Sequence, residues 1–216
     1  MESIGAQVWL VAYDVAKGGP RGGRRLAHAI AGGLLCDLLL RGKIRTDGER
    51  CRLVDSSPLG RPALDDLLGQ IAAEQDRPRT WLSWVRGYAR DAQGAVVEEL
   101  ELHGRLVRYE RRLLGVLALP RHSLADPPRV ERLRSSIRHA LASPLGTPCE
   151  PRLAALAVLL NTAGFGPGPG PAGPGQLPAT VRADELDSEL PTGLRAVLAA
   201  VRAARTDAIA PAGAVG

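Results

Sequence analysis

Residues 26–44 read LAHAIAGGLLCDLLLRGKI, and this stretch decides the fold class. Leu26, Ile30, Leu34 and Leu38 recur at every fourth position, with Ala27, Ala31, Leu35 and Leu39 beside them. A stripe that wide on an i, i+4 row marks a helix buried over most of its surface. Gly32 and Gly33 lie inside it and each costs about 1 kcal/mol of helix propensity, so they point to a close crossing by another helix. Gly42 stops the helix.

After Gly42 the pattern changes to period two. In Lys43–Leu53, Asp47-Gly48 is a two-residue turn signal that predicts a hairpin with Ile44 facing Cys51. The same punctuation returns later. Leu38-Leu39-Leu40-Arg41-Gly42-Lys43-Ile44 and Leu100-Glu101-Leu102-His103-Gly104-Arg105-Leu106 share the pattern L-x-L-x-G-basic-apolar, so helix, glycine stop, basic residue and strand occur twice. The second copy predicts strands over 105–110 and 113–119, with a turn at Arg111-Arg112. Helical periodicity covers 62–75, 79–90, 92–103, 127–142 (Asp126 as N-cap before Pro127-Pro128), 152–163 and 191–205. The expected fold is mostly α: a single-domain helical bundle over 1–216 with two short β-hairpins. GFGPGPGPAGPG at 164–175 carries ten Gly or Pro in twelve residues and is expected to be a flexible loop, and the tail at 207–216 is expected to fray.

Composition narrows the function classes. At 216 residues the chain is long enough to bury a core without disulfides or metals. Aromatic residues are only 3%, which argues against a platform for stacking bases. Cys36, Cys51 and Cys149 show no zinc-knuckle spacing and read as small apolar contacts. His28, His103, His122 and His139 form no HxH or HxxxH pair. Asp65-Asp66 and Glu98-Glu99 are adjacent pairs, whose side chains diverge by about 100° on a helix. No catalytic constellation and no cofactor or metal motif is visible, so an enzyme is not expected. Met1–Gly5 lacks the basic flank and apolar stretch of a signal peptide, and no run reaches a membrane span, so a cytoplasmic protein with reduced thiols is expected.

Charge is uneven. The whole chain carries +5, yet His103–His139 holds nine arginines against three acids, a balance of +6. Arg132, Arg134 and Arg138 lie on the helix after Pro128, and Arg21, Arg24 and Arg25 open the first long helix, whose N-terminal dipole also favours an anion. Two basic clusters suit an anionic headgroup or a phosphate backbone, and a solvated basic face is the plain alternative.

The order of these pieces resembles the Golgi phosphoprotein 3 family, in its bacterial branch, across roughly residues 7–206. A glycine-bearing loop precedes LLCDLLLRGKI (34–44). A hairpin, D-x-x-P-L-x-x-x-x-L-D-D (Asp55–Asp66), a helix bearing Trp81, and LxLHGRL into an apolar hairpin follow. PRVERLRSSIRHAL (128–141) and PRLAALAVLL (151–160) complete the series. The resemblance implies a mostly helical, non-enzymatic protein that sits peripherally on the cytoplasmic face of membranes and binds phosphatidylinositol 4-phosphate. It also implies self-association through the hairpin at 105–119. Matching on the Leu-Leu-Leu-Arg-Gly end places Gly22 where the family has a membrane-dipping tryptophan and Ala31 where it has a helix arginine. Arg132 matches a family basic residue, and the next one falls on Ser135.

From these two lines the expected function is a peripheral adaptor. It would bind phosphatidylinositol 4-phosphate or another anionic phospholipid through Arg24, Arg25, Arg132 and Arg134, with a protein client of unknown kind. The alternatives are a nucleic-acid-binding module resembling a winged helix and a protein-interaction scaffold without a lipid ligand. Against the nucleic-acid reading, the arginine-rich helix follows the second hairpin, where a recognition helix should precede it.

Overall fold

The central helix α2 (Gly23–Leu40) buries twelve of its 18 residues, Ala31 among them, because other helices cover nearly every side of it. The protein's structure is a computed structural model that describes residues 2–113, 117–165 and 179–209, with the backbone alone at 110–113, 117–120 and 207–209. Among these residues 64% are helical, in eight helices with three short antiparallel strand pairs, as a mostly-α single domain requires. No helix there is long and apolar enough to cross a membrane.

The paired glycines of α2 mark two crossings. A Cβ at Gly33 would lie 2.8 Å from the backbone nitrogen of Gly5 in α1 (Ile4–Ala12), so the two backbones touch. A Cβ at Gly32 would lie 2.3 Å from Val201 Cγ2 in α8 (Thr192–Ile209). One glycine therefore admits each neighbour. Helix α1 has no counterpart in the periodicity reading, because IGAQVWLVA is buried at seven of its nine positions and shows no polar face to alternate with. It is capped at both ends: Ser3 accepts the N–H of Ala6, and Arg134 donates to the carbonyls of Val11 and Tyr13 at 3.1 and 2.8 Å.

α3 (Pro62–Ala73) and α5 (Pro127–Ala142) begin on proline as expected, with Asp126 accepting from Arg129 N–H at the start of α5, and α6 (Pro151–Ala163) begins on proline one residue before the expected 152. The two candidate helices at 79–90 and 92–103 are instead one, α4 (Trp81–Leu102), capped by Thr80. Asp91 stands on its exposed face and interrupts nothing. A short α7 (Ala179–Glu189) follows residues 166–178, which lie outside the described residues together with most of the Gly/Pro stretch. α8 continues to Ile209, three residues into the stretch expected to fray, and 210–216 are not described.

Three strand pairs decorate this frame. β1 (Tyr13–Asp14) and β2 (Gly19–Pro20) form a small hairpin between α1 and α2 that the sequence reading did not contain. In the pair β3 (Ile44–Asp47) and β4 (Arg50–Leu53), Ile44 faces Leu53 and Cys51 faces Thr46, which corrects the expected register by one turn position. The turn residues are Gly48 and Glu49, since Gly48 holds the positive φ of 58°. The long hairpin pairs β5 (Leu106–Leu113) with β6 (Leu117–Leu124), so it ends at Leu124 and not at 119. Arg111 and Arg112 are strand residues opposite Leu119 and Ala118; neither carries the Gly, Asn or Asp chemistry of a tight turn.

Both glycine stops end their helices in one geometry. Lys43 N–H donates to the Leu38 carbonyl and Gly42 N–H to Leu39; Arg105 N–H donates to Leu100 and Gly104 N–H to Glu101. These are the six-to-one and five-to-two bonds of a Schellman end, with φ of 68° at Gly42 and 61° at Gly104. The residue that follows each hairpin then returns to the basic residue: Val54 N–H to the Lys43 carbonyl and Ala125 N–H to the Arg105 carbonyl. Helix α6 ends the same way at Gly164, with Phe165 N–H donating to Leu160.

Asp37 stands in the last turn of α2, among the apolar residues Leu34, Leu35 and Leu38, and is fully buried. It accepts the backbone N–H of Ile4 and pairs with Arg152 of α6, whose Nη2 also donates to the Glu2 carbonyl at 2.6 Å. One carboxylate thus ties together the starts of α1 and α6 and the C-terminal turn of α2.

Candidate functional site

The chain enters α2 through Gly22 at φ 117° and Gly23 at φ 50°, and no side chain caps the helix. Of its first N–H groups that of Arg25 donates to the Gly22 carbonyl at 3.2 Å, and no acidic side chain stands in the first turn to meet the positive dipole end. Arg24 and Arg25 project from this first turn and are exposed, and neither forms an ion pair among the described residues. Arg25 leans toward the C-terminal end of α6, where a Cβ at Gly164 would lie 3.6 Å from its Nη1.

Two further residues belong to this end of α2 that sequence reasoning missed. The ring of Phe165 lies over Gly22, close enough that an added Cβ would come within 2.1 Å of it. Gly22 is thus required for its backbone angle and for its lack of a side chain. Helix α4 brings Arg86 up beside α2. Burial first, and then the positive charges of Arg24 and Arg86, hold the His28 imidazole below the usual histidine range. His28 is buried one turn beyond Arg24, and its Nδ1 has no hydrogen-bond partner among the described residues. The signal for Arg86 was absent from the sequence, because it depends on how α4 crosses α2. For Phe165 the only hint was an aromatic ring at the edge of a Gly/Pro stretch.

The arginines of α5 have different surroundings. Arg132 is 69% exposed and sits 3.8 Å from Asp126. Arg134 is only 29% exposed; besides capping α1, it lies 3.7 Å from Glu131. Arg138 takes the other oxygen of Glu131 at 2.7 Å. Hydrogen bonding from Arg138 outweighs the slight effect of burial and lowers the Glu131 carboxyl, so that acid stays ionised. Arg105 and Arg129 both pair with Glu2, at 2.9 and 2.8 Å. Much of the +6 of this segment is therefore matched by acids inside or outside it.

The two clusters are related through one piece of chain. Arg134 grips residues 11 and 13, and the small hairpin that begins there leads directly to Gly22, Arg24 and Arg25. Arg21 sits on that connection, 3.4 Å from Asp14. At the hairpin tip Val15 is 76% exposed and Lys17 is exposed beside it. Ala31, the position implied for the family's helix arginine, is fully buried between helices, so no headgroup contact can come from it. Among the described residues no group of three or more His, Cys, Asp or Glu could hold a metal ion.

Comparison with protein families matches the model described as Golgi phosphoprotein 3 (GPP34) over residues 4–208, nearly the whole chain. Comparison with curated proteins gives no match.

Proposed function

The chain belongs to the Golgi phosphoprotein 3 family, and from that premise we propose that it is a non-enzymatic peripheral membrane adaptor. Its ligand is an anionic phospholipid headgroup, with phosphatidylinositol 4-phosphate as the reference member. The observation that carries this reading is the first turn of α2: an uncapped helix start whose two exposed arginines lack acidic partners among the described residues. Arg24 and Arg25 supply the charge, Arg132 adds a third exposed guanidinium, and Arg134 holds the adjoining loop in place while remaining partly exposed. Val15 and Lys17 at the hairpin tip give that loop an apolar point and a cation, the combination that favours a membrane interface. The long hairpin of β5 and β6 is the element proposed for self-association.

Each arginine near an anionic surface contributes about 1 kcal/mol, so removing two weakens partitioning about thirtyfold. Vesicle flotation tests the reading. The wild-type protein should float with vesicles containing phosphatidylinositol 4-phosphate or phosphatidylserine and stay behind with phosphatidylcholine alone. Arg24→Ala/Arg25→Ala should lose most of that recovery, and added salt should reduce it for the wild type. Equal recovery on neutral and anionic vesicles would refute the proposal. Tight binding to duplex or single-stranded nucleic acid, with a steep salt dependence, would move the reading to a phosphate backbone.

A further inference from the structure

The small hairpin between α1 and α2 cannot hold itself in place. β1 and β2 form only two residue pairs, whereas an isolated two-stranded ribbon is marginal in water even when longer. Its internal bonds are local: Ala16 N–H to Asp14 Oδ1 at 3.0 Å, Lys17 N–H to the Asp14 carbonyl at 3.2 Å, and Gly18 N–H to the Val15 carbonyl at 3.3 Å.

What fixes it from outside comes largely from the long hairpin. Tyr13 Oη donates to the His122 carbonyl at 2.5 Å, and His122 N–H donates to the Gly18 carbonyl at 3.4 Å. Tyr109 closes over Gly18, where an added Cβ would lie 2.7 Å from its hydroxyl, and Arg121 flanks it at 3.7 Å. His122 is itself held, with Nε2 2.9 Å from Glu101 Oε1 of α4 and its ring edge-on to Trp9 of α1 at 6.2 Å. Gly18, at φ 60°, is buried under these groups, while Val15, Ala16 and Lys17 beyond it are exposed.

We infer that the β5–β6 hairpin sets the conformation of the Tyr13–Pro20 loop, and through it the affinity of the neighbouring arginine face for anionic lipid. Tyr13, Tyr109 and His122 are positioning residues for the loop that leads into α2. This inference rests on the lipid reading above. Its consequence is a linkage: a partner that binds β5–β6 and displaces Tyr109 or His122 weakens lipid binding, and lipid binding opposes that partner by the same factor.

The test uses the full chain, comparing wild type with Tyr13→Phe and Tyr13→Phe/Tyr109→Phe, which keep the rings and remove the hydroxyls. Two quantities are read: hydrogen exchange of the Val15–Gly18 amides, and the ratio of recovery on phosphatidylserine vesicles to recovery on phosphatidylcholine vesicles. Tyr13→Phe should speed loop exchange about fivefold, the factor of one ordinary hydrogen bond, with exchange in α2 and α4 unchanged. The double variant should go further, and the recovery ratio should fall in step. Unchanged loop exchange in both variants overturns the inference, even if the wild type binds vesicles. A loosened loop with an unchanged recovery ratio overturns it too, because the loop then does not govern binding. If wild type shows no preference for anionic vesicles while the loop loosens as described, the lipid reading is what has failed, and the regulatory part falls with it.

Discussion

Removing Arg152 should be among the most damaging single changes available in this molecule. Asp37 is fully buried and its carboxylate serves Ile4 N–H and the Arg152 guanidinium, with Arg41 Nε only 3.7 Å away as a weaker partner. Arg152→Ala deletes the main counter-charge and also leaves the Glu2 carbonyl without its donor. Breaking one side of a buried ion pair costs about 3–5 kcal/mol, because the remaining charge is stranded away from water. For a chain of this size each kcal/mol shifts Tm by about 2–4 °C, so a fall of roughly 6–20 °C is expected in a thermal melt followed by circular dichroism. Asp37→Asn should cost a similar amount. The double variant Asp37→Asn/Arg152→Met should recover much of the loss, since both charges are gone and the methionine fills part of the volume. If Arg152→Ala lowers Tm by less than 2 °C, or if the double variant equals the sum of the singles, the node does not hold the helix starts together as reasoned.

Three further outcomes follow from other parts of the structure. Gly33→Ala gains helix propensity yet sets a Cβ 2.8 Å from the Gly5 backbone; a net loss of about 1–3 kcal/mol is expected in urea unfolding, and a more stable variant would contradict the backbone contact. Burial pushes the Cys51 thiol up to about 12 and raises Cys36 further, while Cys149 is half-buried and raised less. A thiol reagent at pH 8 should therefore label Cys149 first, with Cys36 and Cys51 reacting only in denaturant, and rapid labelling of all three would count against this core. His28 is held below its ordinary value of 6.5, so the fold disfavours its proton. That contribution is present above about pH 6.5 and is lost as pH falls through the lower folded value, so His28→Asn should flatten the decline in Tm between pH 7 and 5.

How much of this was legible in the sequence differs from element to element, for physical reasons. The i, i+4 row from Leu26 to Leu38 named the central helix, and Gly32-Gly33 named its close crossings, because burial and steric fit are written into residue type. The repeated L-x-L-x-G-basic-apolar junction was legible because a Schellman end depends on local backbone angles alone. Helix α1 was hidden by being buried on all sides, and the register of β3–β4 turned on which of two candidate positions took Gly48. The charge count over 103–139 misled about availability: Arg105, Arg129, Arg134 and Arg138 lie within ion-pair reach of Glu2 and Glu131, and a sum of charges does not say which acids from elsewhere arrive beside them. The role of Asp37 was missed, because its partners Ile4 and Arg152 lie more than thirty and more than a hundred residues away. The entrance to α2 was only half legible, since Arg24 and Arg25 are local while Arg86 and Phe165 arrive by tertiary packing.

The twin wraps at Gly42 and Gly104 make the helical frame behave like a wall with identical sockets. In each the chain leaves through the same two backbone bonds and comes back to the carbonyl of the basic residue, on Lys43 in one socket and on Arg105 in the other. A strand pair of four residues occupies the first and one of eight the second. Length and sequence beyond the socket are thus free to drift, and new surfaces can be grown there without retuning the interior.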